Sequence, residues 1–478
     1  MLKKAFLLLA LLCASSAAWA QDPDQPTTYD PNATAESLGL EPYRAPEGFF
    51  PIFPWDHTAN WVGSFQSLEE GFKSMAECSC TLSSFVDDER GVQAAKENGL
   101  KCIYEIRLDP SDKSDGNRRG SFETRNLTEE EIQEQTANLD LVIKERVEST
   151  KDDPDVIGYY LCDEPGAYHF RLLGTAVAAV KKYAPGKLAY INLYPGYAST
   201  IGADVDSQLG THTFREYLER FVQEVKPQFI SYDNYMIEYS DDLRNIGRGV
   251  SHFVDLFEIR DVAQKYELPF WYIGSSLNIM EESSPPSPMR YAYQMYTALA
   301  AGAEGITWFL YYPPEPEWRD GPVDDQEGKT VYWLYMREIN EQMKALGTYL
   351  LAYKNAACGM TPLYTPEEAP NLPQFPALPD NVLKNVGIKF SGNASTFESE
   401  PKLMIGEFKQ KEGENVAALA VNLNISISER IYFELPDGYK TLKVVSPIDG
   451  SETVVTDEQL KDGFWILPGH GKLFVFEK

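Results

Sequence analysis

Asp163 and Glu164 stand side by side at the end of the apolar run Val156-Ile157-Gly158-Tyr159-Tyr160-Leu161-Cys162 and directly before Pro165. A carboxylic acid at such a boundary can donate a proton, accept one or attack an electrophilic carbon. The run 156–161 has the unbroken apolar character of a strand hidden on both faces. Pro165 lacks the N–H that would continue a ladder, so both acids fall at the strand's carboxyl end. That end is where parallel α/β folds bind ligands. The competing reading is a helix N-cap, with the acids preceding a helix from Pro165 through Leu172 to Val180. A cap accounts for one acid, and chemistry would account for the second.

The elements that must position this pair alternate regularly. Strands are predicted at 49–53, 80–85, 101–106, 156–161, 188–193, 229–232, 270–274 and 305–311. Amphipathic helical stretches fall between them at 68–78, 89–98, 128–149, 168–183, 213–225, 250–266 and 288–301. A final helix spans 330–350, with Thr330 as its cap. Eight strands with intervening helices predict a (β/α)₈ TIM barrel. Prolines at 362, 366, 370, 373, 376 and 379 then punctuate a segment of little periodicity. Short alternating runs follow at 402–408, 416–422, 430–435, 442–445 and 472–476, which predict a small antiparallel β-sandwich. The expected organisation is a leader at 1–20, an extended lead-in at 21–46, the barrel at 47–360, a Pro-rich linker at 361–382 and the sandwich at 383–478.

In a barrel, function is read from the strands' carboxyl ends. The first carries Trp55, Asp56 and His57; the third, Glu105 and Arg107; the fifth, Asn192, Tyr194 and Tyr197. The sixth carries Tyr232, Asp233, Asn234 and Tyr235; the seventh, Trp271, Tyr272 and Ser275; the eighth, Trp308, Tyr311 and Tyr312. Carboxylates ringed by Trp, Tyr and Asn suit cleavage of a glycosidic bond, where acids protonate the leaving oxygen or attack carbon and aromatic faces hold the ring. Each has a plainer reading. Tyr232 and Tyr235 can be core residues, Asp233 can cap a helix, Trp308 can be packing and Arg107 can neutralise Glu105. His57 and His169 have no second histidine nearby, and no metal is expected.

Tyr160-Leu161-Cys162-Asp163-Glu164-Pro165 resembles the fourth-strand Asn-Glu-Pro signature of retaining barrel glycosidases, with Asp163 in place of Asn. With Ile191-Asn192-Leu193-Tyr194-Pro195, Ile230-Ser231-Tyr232-Asp233-Asn234-Tyr235 and the 298–306 stretch, the chain from about 46 to 350 is similar to exported bacterial glycoside hydrolases distantly related to the family 42 β-galactosidases. The resemblance implies Glu164 as acid/base, an oligo- or polysaccharide substrate and no cofactor. It also implies a nucleophilic Glu ending the seventh strand, where this chain has Gly274-Ser275-Ser276. Three alternatives stay open. Glu281 or Glu282 could fold back as nucleophile; Asp233 could be the second carboxylate, kept ionised by Tyr232 and Asn234. Alternatively, Asp163-Glu164 could work as in substrate-assisted N-acetylhexosaminidases, with Tyr232 or Tyr235 completing the site. The reading from a different class is a non-catalytic carbohydrate-binding barrel; a glycan lyase or deacetylase is a weaker third.

Composition sets the address. Lys3-Lys4, an apolar core at 6–12 and Ala18-Trp19-Ala20 have the form of an export signal, so a periplasmic or extracellular protein is expected. Cys13 lacks the preceding small residue of a lipid-modified cysteine. No later run is long enough to span a bilayer, and the five cysteines beyond the leader allow at most two bridges. A formal charge of −29 excludes nucleic acid and anionic membranes as favoured partners.

Overall fold

The structure, a computed structural model, describes residues 28–56, 67–106, 108, 119–203, 207–239, 246–278, 285–313, 318–324, 328–365, 367, 372–388 and 402–478. The leader expected at 1–20 lies outside the described residues, as do His57, Arg107, Glu281 and Glu282.

Seven parallel strands form one curled sheet: Ile52–Pro54, Cys102–Glu105, Val156–Asp163, Leu188–Leu193, Ile230–Asp233, Phe270–Ser275 and Gly305–Phe309. The first strand pairs with the last, Ile52 facing Ile306. The gap between Ile52–Pro54 and Cys102–Glu105 is closed by residues 81–86, predicted as the second strand. Thr81 and Leu82 donate to the Ile52 carbonyl, Phe85 donates to Asp56, and Val86 donates to Ile103 while accepting from Glu105. Only two isolated bridges form there, Leu82 with Lys101 and Val86 with Tyr104. The expected regular strand at 80–85 is therefore corrected to an irregular segment. Its buried Ser83 hydroxyl bonds the Ser84 carbonyl at 2.8 Å, a local bond that competes with a ladder. The result is a closed (β/α)₈ barrel whose second position is irregular.

The helices begin at residues suited to the task. Asp88, Thr128, Thr213 and Ser287 each accept from the backbone inside the first turn, and Thr330 accepts from Tyr332. Phe214–Arg220 runs on into a π turn, Phe221–Val225. Inside the barrel, Phe53, Ile103, Leu188, Tyr190, Phe229, Trp271 and Ile273 fill the bore, so it is a packed core and not a pore. The cysteines at 78, 80, 102, 162 and 358 are buried and unbridged. Among the described residues, no helix is long and apolar enough to cross a membrane.

The C-terminal sandwich sets a six-stranded sheet against a three-stranded one. The larger runs Tyr353–Met360, Leu403–Gln410, Val416–Asn422, Gly471–Glu477, Thr441–Val445, Glu452–Val454 in spatial order, and the smaller Lys384–Ile388, Glu429–Glu434, Phe464–Ile466. Tyr353–Met360 follows directly on the last barrel helix, Val331–Leu350, and pairs with Leu403–Gln410. The larger sheet lies on helix Pro288–Ala301. A Cβ on Gly406 would stand 1.9 Å from the Ala300 carbonyl oxygen. Gly406→Ala should therefore force the two units apart locally and lower stability by about 1–3 kcal/mol. Thermal unfolding of the variant beside the parent measures it, and an unchanged midpoint would show that the contact yields freely.

Candidate active site

The fourth strand delivers its acids through two local departures from regular backbone. Its register against the fifth strand slips between Tyr160 and Cys162, so that Asp163 pairs with Asn192. One extra residue in a strand reverses which side the following side chains face. Tyr160 belongs to the bore, Leu161 and Cys162 to the core outside it, and the next side chain, Asp163, turns back towards the bore. Glu164 then adopts φ +44°, a left-handed conformation costly for a residue with a Cβ. Its N–H donates to the Asn192 carbonyl at 2.8 Å, and the Pro165 carbonyl accepts from the Tyr217 hydroxyl at 2.7 Å. The strained turn leaves Asp163 and Glu164 half-buried at the barrel mouth.

Asn192 organises the floor. Its Nδ2 donates to Asp163 Oδ1 at 3.1 Å and to Asp233 Oδ1 at 2.8 Å, while its Oδ1 accepts from Ser231 Oγ at 3.1 Å. Ser231 in turn meets the Tyr190 hydroxyl at 2.9 Å. An amide has two N–H donors, and here each serves one carboxylate. Strand alternation explains the meeting: Leu188 and Tyr190 face the bore and Asn192 continues their side, while Phe229 begins the side continued by Ser231 and Asp233.

Asp233 is 2% exposed. Burial, reinforced by the nearby charge of Asp163, pushes its carboxyl up to about 8 against the hydrogen bond from Asn192. The expectation that Tyr232 and Asn234 would keep it ionised is thus overturned. Tyr232 faces away into the helical shell, its ring 5.5 Å from Tyr272 and its hydroxyl without a hydrogen-bond partner. Asn234 Nδ2 donates to Asp255 at 2.7 Å, and Asn234 Oδ1, not Asp233, receives the Met236 N–H at the following turn.

Tyr235 lies within the electrostatic reach of the three acids. Its phenol is held well above the ordinary value, first by burial and then by the charges of Asp233, Glu164 and Asp163 and by Tyr197. Its ring stacks on Phe309 at 5.2 Å, and Phe309 abuts Trp318 at 5.5 Å, making an aromatic wall. Phe309 and Trp318 were not anticipated. Alternation from Thr307 could have found Phe309, whereas Trp318 sits in a loop with no periodic signal.

The remaining expected residues divide. Trp55 packs edge-on against Phe85 at 4.8 Å and Tyr160 at 5.5 Å, as an aromatic plug beneath the mouth. Asp56 and Glu105 are buried at the ends of the first and third strands. Tyr272 and Trp308 do not join the site, and with Tyr232 they are corrected to shell residues. Tyr272 donates to the Asn234 carbonyl at 2.9 Å, and Trp308 Nε1 donates to Asn340 of the last barrel helix at 2.8 Å. All three sit one residue out of phase with the inward positions Ser231, Ile273 and Phe309. At the seventh strand's end Ser275 is tied down by Gln294, which accepts from its N–H at 2.8 Å and donates to its carbonyl at 3.1 Å. Among the described residues, no three His, Cys, Asp or Glu side chains gather where a metal ion could be held.

No family model matches the chain, and no curated protein matches it. Solved structures do. A catalytic variant of Gan42B, a family 42 β-galactosidase from G. stearothermophilus, superposes with a TM-score of 0.57 at 7% identity, over 92% of this chain and 100% of that one. What they share is the fold. Two further β-galactosidases, from the psychrophilic Marinomonas ef1 and from Rahnella sp. R3, give TM-scores of 0.45 and 0.47 at 10% and 13% identity, over 63% and 64% of this chain. The matched region spans 60% and 58% of their lengths.

Proposed function

We propose that this protein is an exported glycoside hydrolase acting on an oligo- or polysaccharide, with Glu164 as general acid/base. One observation carries the reading: Glu164 is held by a strained turn at a barrel mouth beside Asp163, whose carboxylate shares the Asn192 amide with Asp233. A half-buried acid there can protonate a leaving oxygen and later take a proton from water, while the Tyr235–Phe309–Trp318 wall offers a face to a sugar ring. The barrel-plus-sandwich likeness to a β-galactosidase and the leader-like sequence at 1–20 support it. No step requires a cofactor. The deciding experiment is release of reducing sugar from a panel of glycans. Binding without cleavage across the panel would instead favour a carbohydrate-binding barrel.

A second reading is favoured by Asp233. A carboxyl protonated at neutral pH is a poor nucleophile, and Ser275 stands where the seventh-strand acid would be. The substrate's own 2-acetamido group can supply the attack, with Asp163 orienting it, Glu164 protonating the leaving group and Tyr235 alongside. On this reading Asp163→Asn lowers turnover about 100-fold or more and activity demands a 2-acetamido sugar. Full activity of the parent on simple galactosides or glucosides would eliminate it.

A further inference from the structure

Asp255 lies on helix Ile246–Lys265, outside the barrel wall, within the apolar stretch Phe253-Val254-Asp255-Leu256-Phe257. It is completely buried. Its Oδ2 accepts twice, from the Gly196 N–H at 2.9 Å and from Asn234 Nδ2 at 2.7 Å, while its Oδ1 has no hydrogen-bond partner. Gly196 lies on the exit of the fifth strand, shortly after Asn192, and Asn234 directly follows Asp233. One carboxylate oxygen therefore ties together the exits of the two strands whose side chains meet as Asn192 and Asp233. The tie is tight, because a Cβ on Gly196 would stand 2.3 Å from Asp255 Oδ1. Asn234 is fixed from a third side by Tyr272, which donates to its carbonyl. A side chain that reaches through from behind the wall and joins two loops carrying site residues fixes their separation as well as their fold.

We infer that Asp255 is a positioning residue for the glycoside hydrolysis proposed above. It holds the fifth- and sixth-strand exits at the separation at which the Asn192 amide reaches the Asp233 carboxyl. The inference rests on that reading of the site, and it makes a helix residue behind the barrel wall part of the cleft's geometry. Displacement of reacting groups by a fraction of an ångström to one ångström lowers turnover while leaving sugar binding at the aromatic wall in place.

The test compares Asp255→Ala, Gly196→Ala and Asp255→Asn with the parent, on whichever glycoside the panel identifies. The measurements are kcat, KM, melting temperature and the crystal structure of each full-length variant. Asp255→Ala and Gly196→Ala should lose about tenfold or more in kcat with KM within about twofold, and should show Asn192 Nδ2 beyond hydrogen-bonding distance of Asp233. Asp255→Asn keeps an oxygen that can accept both bonds and should restore kcat to within about threefold of the parent. Should Asp255→Ala and Gly196→Ala fail to fold, Asn234→Ala removes one of the two ties on Asp255, together with the Asn234 bonds to Met236 and Ser251, and should lower kcat with KM retained. A merely structural Asp255 would lower the melting temperature while leaving kcat and the Asn192–Asp233 contact at parental values. That result overturns the inference, as does an Asp255→Asn as impaired as Asp255→Ala. Should the parent cleave no glycoside, the functional reading fails on its own, while the Asn192–Asp233 separation in the Asp255→Ala crystal structure still decides whether Asp255 positions the pair.

Discussion

Glu164→Gln should cut turnover at least about 100-fold while the protein stays folded. Glutamine keeps the shape of the side chain but has no carboxyl proton to give. Backbone contacts at the turn survive the change: the Glu164 N–H on the Asn192 carbonyl and the Tyr217 hydroxyl on the Pro165 carbonyl. Glutamine also keeps a side-chain oxygen in the same place, so the melting temperature should stay near the parent's. The loss should depend on the leaving group. An activated aryl glycoside departs without a proton, so its first step should be spared relative to that of a natural glycan. A correctly folded Glu164→Gln protein with parental activity on both substrates would remove Glu164 from the mechanism.

Asp233→Asn should change the pH dependence of stability most. The ordinary aspartate value is 3.8, and in the folded protein burial followed by the Asp163 charge moves it to about 8. Between those values the folded state holds a proton that the unfolded state has released, so stability falls as pH rises from about 4 to about 8 and then levels off. Asparagine cannot ionise, and its side-chain oxygen still accepts from Asn192. The variant should gain on the parent as pH rises, by a few kcal/mol at about pH 9, because each tenfold difference in proton affinity between the two states is worth on the order of one kcal/mol. Two other buried groups shape the background. Asp255, pushed up to about 7 by its burial, adds a slope of the same sign. His252, pushed down to about 3 by burial, acts oppositely, losing stability as pH falls from 6.5 towards 3. Denaturant midpoints at pH 5, 7 and 9 for both proteins measure the difference. Parallel curves would mean that Asp233 does not carry the buried proton. Catalytic involvement predicts inactivity in the same stabilised variant, and in Asp233→Ala, where the truncated side chain leaves room for azide, rescue by azide if Asp233 is the nucleophile.

Most of the architecture was legible because hydrophobic runs and capping residues report on backbone directly. The fifth strand occupies Leu188–Leu193 as expected, and Thr330 caps the last barrel helix. Which face a residue occupies was much less legible. In a strand buried on both sides, bore-facing and shell-facing positions are equally apolar, so Tyr232 and Trp308 read as well as Ser231 and Phe309. The slip at Tyr160–Cys162 reverses that phase within the fourth strand with no glycine or proline at the slip itself to mark it. The ionisation of Asp233 was misjudged for the same reason, since the neighbours assigned to it point elsewhere. Asn192 was a candidate from its position, yet its bridging of two acids depends on a pairing register between strands far apart in the chain. Asp255 left only a faint mark, a charge inside an apolar helical stretch.

Helix Pro288–Ala301 is buried along its length from Tyr291 onward. One side serves the barrel through Gln294 on Ser275 and Tyr291 against Trp308. The other lies under the sandwich, and Met295 and Tyr296 share a single hydrophobic core with Leu419 and Leu473. Severing the chain at the proline-rich stretch would therefore cut the polypeptide without dividing its core. A barrel released in that way would carry a greasy flank into water and would be prone to self-association. Grafting this barrel onto a different partner would mean redesigning the outer side of one helix as well, so the two halves behave as a single structural unit and not as interchangeable modules.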